Sequence, residues 1–236
     1  MALLVIVSGP SCAGKTPLIH SVKQLYPSLN IKAPVLYTSR APRPGEKDGK
    51  DFYFRDEQEI RSLDKERFVV APVRHLWQAL ELEELQHTLQ SHTAILDIYP
   101  TFADELFKTD LDSRIPDLSV HRIFIAPLAE QELADIQHHM NFATPQAAMT
   151  SIMMHKQIRR AIFQAKVLTK TELEDIQMRA SKAYDELKMS ESYETILVNH
   201  DTEDSDHWHF TPPLGDAGKT VHRLAELIGE WQKTGK

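Results

Sequence analysis

The chain has 236 residues, of which 42% are hydrophobic, and its formal net charge is −7 at pH 7. This length and apolar content suit one α/β domain with insertions, and the acidic balance argues against partners such as nucleic acids or anionic membranes. No segment is apolar enough to span a bilayer and no signal peptide is evident, so we expect a cytoplasmic protein. The single cysteine, Cys12, excludes an internal disulfide.

The first motif along the chain follows a short apolar segment. Leu3 to Val7 predicts a buried strand, and residues 9–16 then read Gly-Pro-Ser-Cys-Ala-Gly-Lys-Thr. This octapeptide fits the phosphate-binding pattern G-x-x-x-x-G-K-[ST], which requires a strand before it and a helix after it. Leu18 to Leu25 has the apolar spacing of that helix. The sequence therefore predicts a nucleoside triphosphate site, with a chance match of a glycine-rich turn as the alternative.

The residue types in this loop suit a triphosphate and its metal. Glycines let backbone N–H groups turn toward phosphate oxygens, Lys15 can reach the outer phosphates, and the Thr16 hydroxyl can ligate Mg²⁺. A nucleophilic role for Cys12 is open, but a small filler side chain explains it better. We predict that ATP and Mg²⁺ bind here. The predicted ATP-binding residues of the loop are Gly9, Ser11, Cys12, Ala13, Gly14, Lys15 and Thr16.

Extended and helical patterns alternate along the rest of the chain. Strands are predicted at Val35 to Thr38, Phe52 to Phe54, Phe68 to Val73, Thr93 to Ile98, Arg122 to Ala126 and Thr195 to Asn199. Helices are predicted at Asp56 to Leu63, at Leu80 to Leu89 and over most of Leu128 to Leu187, and a turn at Gly215 to Thr220. This alternation predicts an α/β fold with a parallel sheet and a ligand site at the carboxyl ends of its strands.

Two segments follow the loop: residues 38–46 read Thr-Ser-Arg-Ala-Pro-Arg-Pro-Gly-Glu and residues 48–54 read Asp-Gly-Lys-Asp-Phe-Tyr-Phe. They closely resemble the T-T-R-x-P-R-P-G-E and D-G-x-D-Y-x-F segments of guanylate kinases. The resemblance implies a P-loop kinase fold in a single domain, residues 1–236. The implied parts are a core (1–35, 90–135 and 190–236), an acceptor-binding subdomain (36–89), and a lid with a helical insertion (136–189).

The resemblance implies transfer of the ATP γ-phosphate to a phosphate-bearing acceptor, mainly through positioning and electrostatics. Lys15 would stabilise charge on the transferred group. Asp97, at the end of an apolar strand, is placed like an acid that holds Mg²⁺ together with Thr16. Arg40 and Arg43 would grip the acceptor phosphate, since guanidinium groups suit a phosphate monoester.

The resemblance also implies catalytic arginines in the lid. Arg179 occupies such a position, and Arg159 and Arg160 are candidates for the earlier lid arginines, with exposed helix charges as the alternative. Asn199 falls in a Val-Asn-His-Asp segment similar to the family's V-N-D-D and is predicted to belong to the ATP site.

The positions that recognise guanine in the family differ in this chain. A serine, a glutamate and an acid of the family fall on Leu36, Val70 and Tyr99. Leu and Val offer no acceptor for the guanine N–H groups, and each donor buried unpaired costs about 1–3 kcal/mol. We therefore predict a small phosphorylated acceptor other than GMP. The predicted acceptor-binding residues are Arg40, Arg43, Phe52, Tyr53, Val70, Trp77 and Tyr99.

Two alternatives stay open. The chain could be an ordinary guanylate kinase in which Glu81, Glu83 or Glu84 supplies the missing acid. It could instead be a noncatalytic module that binds a phosphorylated ligand. A homodimer is also left open, because the Met-rich segment Ile136 to Ile158 could either pack internally or form a dimer surface.

Overall fold

The protein is described by a computed structural model that covers residues 2–43, 45–111, 113–164 and 167–234. The strands are β1 (Ala2–Ser8), β2 (Ile31–Lys32), β3 (Tyr37–Thr38), β4 (Tyr53–Phe54), β5 (Phe68–Val73), β6 (Leu76–Glu81), β7 (Thr93–Asp97), β8 (Leu118–Ala126) and β9 (Thr195–Val198). The helices are α1 (Lys15–Leu25), α2 (Glu57–Arg61), α3 (Leu82–Leu89), α4 (Pro100–Lys108), α5 (Glu130–His139), α6 (Pro145–Phe163), α7 (Lys170–Lys188) and α8 (Gly215–Thr234). The predicted α/β alternation is confirmed.

The chain forms two compact units. Unit 1 comprises Met1–Val7, Ser28–His121 and Ile228–Lys236, and unit 2 comprises Ser8–Pro27 and Arg122–Leu227. The single domain with the boundaries given above stays a prediction. No helix within the described ranges is both long and apolar enough to cross a membrane.

Unit 1 contains a group of parallel strands in which β7 lies between β2 and β1. Strands buried on both faces read as continuous apolar runs, which explains why β1 and β7 are easily recognised in the sequence. The register pairs Val7 with Asp97, so Asp97 lies at the carboxyl end of β7. Helix α4, which the sequence analysis did not predict, begins at Pro100 and buries Phe102 and Leu106.

A second sheet in unit 1 has the strand order β4-β3-β6-β5. Helix α2 contributes Ile60 to a buried cluster with Phe68 and Ala79 from β5 and β6. The helix predicted from Leu80 was wrong at its start, because residues up to Glu81 form β6, which pairs antiparallel with β5. Only Arg74 and His75 connect the two strands, and Arg74 has φ 61°, so the hairpin lacks the usual glycine or asparagine signal.

In unit 2, β8 pairs in parallel with β9, and helices α5, α6 and α7 follow β8 in the chain. Thr144 and Thr169 cap the starts of α6 and α7 through their hydroxyl oxygens, which accept from backbone N–H groups three residues ahead. Met149 and Met153 are fully buried, so the Met-rich stretch of α6 serves internal packing.

The turn predicted at Gly215 to Thr220 was wrong, since these residues open α8. Asp201 explains the difference: its carboxylate accepts a hydrogen bond from the backbone N–H of Ala217 at 2.8 Å. A cap supplied by a residue far away in sequence leaves no local signal.

Candidate active site

The phosphate loop in unit 2 has the backbone conformation that its glycines predict. Gly9 has φ 145°, and a Cβ there would lie 2.3 Å from the Ile125 carbonyl oxygen. Lys15 is 7% exposed, and its Nζ donates to the carbonyl oxygens of Gly9 at 2.8 Å and Pro10 at 3.0 Å. The loop thus holds its ammonium group over its own backbone, where a phosphate can take over these contacts.

The next residues turn the chain into helix α1. Gly14 has φ 78° at the start of α1, and Thr16 in the first turn is exposed. The thiol of Cys12 is buried, and this burial raises its pKa. A neutral buried thiol fits a filler side chain rather than a nucleophile.

The side chain of Asn199 packs against the phosphate loop and hydrogen-bonds to its backbone. It is fully buried, and its Nδ2 donates to the carbonyl oxygens of Ala13 at 2.9 Å and Asp201 at 2.8 Å. A Cβ on Gly14 would lie 2.5 Å from the same Nδ2 and 3.2 Å from the Trp208 ring. The segment that follows Asn199 is therefore the wall against which the loop packs. Asn199 thus contacts the phosphate loop through the Ala13 carbonyl oxygen, and its place in an ATP site stays a prediction.

The candidate lid arginines of α6 differ in their surroundings. Arg160 donates from one terminal nitrogen to the Cys12 Sγ at 3.4 Å and to the Glu203 carboxylate at 3.0 Å. Arg159 is 73% exposed and lies 3.5 Å from Asp204. The structure brings Arg160, and not Arg159, to the phosphate loop.

Arg179 of α7 lies in the same region of unit 2. Its guanidinium pairs with Asp175 one helical turn earlier. Arg179 also lines a narrow cavity with Cys12 and Arg160. Both predicted lid cations nearest the loop are thus held by carboxylates of unit 2.

Helix α6 carries two polar residues near the loop that the sequence analysis missed. Lys156 donates to the His200 carbonyl oxygen at 2.9 Å. Burial lowers the pKa of Lys156, while Cys12 and Asp201 act against that shift. Gln157 is 3% exposed and lines the cavity beside Cys12. Lys156 and Gln157 lie four and three residues before Arg160, and a spacing that brings each of them near Arg160 on the helix surface was the available signal.

The predicted acceptor-phosphate region lies in unit 1. Arg40 makes two hydrogen bonds of 2.6 Å to the Glu46 carboxylate, and the backbone N–H of Arg43 donates to the same carboxylate at 2.7 Å. The hydrogen bond from Arg40 lowers the pKa of Glu46. The Arg40 guanidinium lies 4.8 Å from the Phe52 ring centroid. The side chain of Arg43 is exposed.

The aromatic residues of this region pack against one another at tilted angles. The ring of Tyr53 lies 4.6 Å from that of Tyr37, and the Arg55 guanidinium lies 5.7 Å from the Tyr53 ring centre. Burial raises the pKa of the Tyr53 hydroxyl, with Glu84 adding to the shift. Tyr53 therefore stays protonated and retains an O–H donor.

The substituted guanine positions have distinct surroundings in unit 1. Leu36 is 6% exposed. Val70 and Trp77 pack against the Ile60 cluster described above. The Tyr99 ring lies 4.5 Å from the Arg74 guanidinium. Val70 and Trp77 thus fill core space in this structure, while Tyr99 carries a stacked cation.

The three glutamates considered as substitutes for the family's acid also differ in their partners and exposure. Glu81 is paired with Arg67, and Glu83 is 79% exposed. Glu84 accepts from the Val35 backbone N–H at 3.3 Å, one residue before Leu36. In addition, the Oε1 of the buried Gln78 has no hydrogen-bond partner among the residues that the structure describes. Glu84 and Gln78 thus each carry a side-chain oxygen acceptor in unit 1.

The predicted metal ligands suit Mg²⁺ by type. Thr16 presents a hydroxyl in unit 2, and Asp97 ends a buried strand in unit 1. Across the described part of the chain, no group of three or more His, Cys, Asp or Glu could hold a metal alone. Mg²⁺ is usually bound by one or two protein groups together with water and phosphate.

The protein-family model described as guanylate kinase matches residues 1–165. The guanylate kinase of Buchnera aphidicola subsp. Baizongia pistaciae is 34% identical over 134 residues, which cover 56% of this chain and 61% of that protein. The guanylate kinase of Photorhabdus laumondii is 33% identical over 133 residues, covering 55% and 61%. The chain therefore spans about three fifths of the length of these curated relatives.

A solved structure supports the fold. The guanylate kinase from Anaplasma phagocytophilum aligns with 98% of this chain and 86% of its own, with a TM-score of 0.57 and 19% identity. At that identity the likeness concerns the fold alone, and it confirms the predicted P-loop kinase architecture. Because the family model covers well over half of the 236 residues, the chain belongs to the guanylate kinase family.

Proposed function

We propose that the protein is an ATP-dependent phosphotransferase that moves the γ-phosphate of ATP to a phosphate-bearing acceptor. The observation that carries this proposal is the complete phosphate loop, with its preceding strand, its two glycines and the buried Lys15. Thr16 and Asp97 are the residues that would hold Mg²⁺, which supplies charge neutralisation between the phosphates. A noncatalytic module has no need of these groups.

GMP is the first candidate acceptor, because the matching family model and the curated relatives are described as guanylate kinases. The earlier expectation of an acceptor other than GMP has no support from these relatives. In this proposal, Arg40, Arg43 and Tyr53 bind the acceptor phosphate. Glu84 or Gln78 would accept the guanine N–H groups in place of the family's acids.

A second candidate acceptor is a phosphate monoester without guanine. The observation that favours it is the apolar character of two guanine positions, since Leu36 is buried and Val70 packs in a core cluster. Arg74 stacked on Tyr99 adds a cation where the family has an acid. Such a cation favours an acceptor with a second anionic group.

A coupled assay for ADP formation, with ATP, Mg²⁺ and each acceptor in turn, tests both candidates. The panel contains GMP, dGMP, AMP, UMP and sugar phosphates at millimolar concentration. Turnover with GMP that exceeds turnover with AMP or UMP at least about 100-fold supports guanylate kinase activity. Such a ratio is expected because hydrogen bonds to the guanine N–H groups distinguish guanine from the other bases.

Turnover restricted to another phosphate monoester would instead support the second candidate. Tight ATP binding without transfer to any member of the panel would contradict both and favour a binding module. Glu84→Gln sharpens the assay, because a lost charge at a guanine contact should raise the KM for GMP while leaving the KM for ATP unchanged.

A further inference from the structure

The narrow cavity beside the phosphate loop is lined in part by a buried amide, the side chain of Gln157. Gln157 of α6 is 3% exposed, and among the described residues neither its Nε2 nor its Oε1 has a hydrogen-bond partner. Buried amide groups are almost always hydrogen-bonded, and leaving one unpaired is costly. We therefore expect an atom from outside the protein to hydrogen-bond with the Gln157 amide.

The surroundings indicate the charge of that atom. Cys12, Arg160 and Arg179 line the same cavity, as does Glu172. Arg160 already pairs with Glu203, and Arg179 already pairs with Asp175. The two arginines thus have partners without a ligand, whereas the Gln157 amide has none within the described chain. Its N–H₂ group offers two donors beside two guanidinium groups that are each paired with a carboxylate, and such donors suit an oxygen acceptor.

The size of the cavity limits what can enter. Its volume is about 10 Å³, close to what one water-sized group needs. A whole phosphate group does not fit, but one of its oxygens does when the phosphorus lies outside, over the loop. The terminal phosphate of ATP carries three non-bridging oxygens, so one of them can meet Gln157 while the others meet Lys15 and the backbone donors of the loop.

We propose that Gln157 binds a γ-phosphate oxygen of ATP, so that α6 makes a contact with a bound triphosphate that it does not make with a diphosphate. This inference rests on the proposed ATP-dependent function. Gln157 donates through Nε2, one helical turn before Arg160 on the same face of α6. A neutral donor at this place binds the terminal phosphate without holding ADP after transfer.

The test is calorimetric binding of ATP, in the form of its nonhydrolysable analogue, and of ADP to the full chain and to Gln157→Met. Methionine keeps the volume of glutamine but removes both polar atoms. The triphosphate should bind about tenfold more weakly, and ADP should bind unchanged. Thermal unfolding of the nucleotide-free variant should occur at the same or a higher temperature, because an unpaired buried amide is removed.

Gln131→Met provides a matched control, since Gln131 is exposed on α5 and bonds only to Asp135 among the described contacts. Equal weakening of triphosphate and ADP, or no change in either, would overturn the inference. Loss of thermal stability with an unchanged triphosphate-to-ADP ratio would show that Gln157 holds a structural water, and would also overturn it.

Gln157→Glu keeps the inference testable if the methionine variant does not fold. Its carboxylate should repel the γ-phosphate and weaken triphosphate binding further, with a smaller effect on ADP. A wild-type chain that binds neither nucleotide would overturn the proposed function itself. A wild-type chain that binds ATP while both variants keep its ratio of affinities would overturn only the role of Gln157.

Discussion

The phosphate loop and the acceptor region hold their positive charges in different ways. In the loop, the Lys15 ammonium donates to the neutral carbonyl oxygens of Gly9 and Pro10. In the acceptor region, the Arg40 guanidinium is bound by the Glu46 carboxylate through two hydrogen bonds. In these two contacts of Lys15 a phosphate would replace carbonyl dipoles, but it must compete with a full charge at Arg40. The loop is therefore preorganised for an anion, and the acceptor region has to rearrange its ion pair or bind through the remaining donors of Arg40.

Substitution of Lys15 should have the largest effect on this comparison. Lys15→Ala removes the charge that would stabilise the transferred phosphate, so we expect kcat to fall about 10²- to 10³-fold. Lys15→Arg keeps the charge but lacks the compact ammonium group, and should restore little of the activity. Steady-state assays with the preferred acceptor measure the loss. Unchanged turnover in a folded Lys15→Ala protein would contradict the proposed site.

The backbone conformation of the phosphate loop can be perturbed without changing the charge of the loop. In Gly9→Ala, the new Cβ would meet the Ile125 carbonyl oxygen at 2.3 Å. This clash, added to the strained φ, should cost roughly 3 kcal/mol of unfolding free energy. Gly45→Ala is the control, since Gly45 has φ 90° but nothing within 4 Å of a new Cβ, and should cost only about 1–2 kcal/mol. Urea unfolding of both variants compares the two regions. Equal losses would show that the contact with Ile125 is unimportant.

These two regions also show what can be predicted from the sequence. The loop is made by local backbone geometry, so the strand before it and the helix after it were predicted correctly. In contrast, β6 was missed, because its identity depends on pairing with β5 across a hairpin without glycine. The partner of Arg40 also depends on how the loop 41–49 folds back, which residue spacing does not reveal.

The same reasoning applies to the lid. The sequence identifies arginines at 159 and 160 but cannot decide which of two neighbours on a helix faces the loop. A rotation of 100° per residue separates them, and only the packing of α6 directs Arg160 to Cys12. Gln157 and Lys156 were missed because an isolated Gln or Lys on a helix is most often exposed. Only the packing of α6 shows that they lie near the loop.

Substitution of Arg40 should have an intermediate effect. Arg40→Lys keeps the charge but loses the planar pair of donors, so we expect the KM for the acceptor to rise about tenfold, with ATP binding unchanged. Arg223→Lys, which alters an exposed pair with Glu226 on α8, should leave both constants unchanged. Initial rates at varied acceptor concentration decide the matter. A rise in the KM for ATP instead would place Arg40 on the donor side.

The smallest expected effect concerns the histidine that follows Asn199. The His200 ring lies between two carboxylates, with Nδ1 2.5 Å from Asp216 and Nε2 2.9 Å from Glu132. Lys219 also pairs with Asp216, and Lys156 bonds to the His200 carbonyl oxygen. Although burial alone would lower the pKa of His200, the hydrogen bonds to these carboxylates raise it overall.

A raised folded-state pKa means that this stabilisation is complete below the unfolded value of about 6.5 and is lost as pH rises through the folded value. The lowered pKa values of Glu132 and Asp216 have the opposite sign, so their stabilisation is present above about pH 4.3 and is lost in acid. Unfolding midpoints in urea should therefore decline from pH 6.5 to pH 9 in the natural chain and much less in His200→Asn, which cannot be protonated. Because the ring is partly exposed, the difference should be small. Parallel pH profiles for the two proteins would show that protonation of His200 contributes nothing to the stability of the fold.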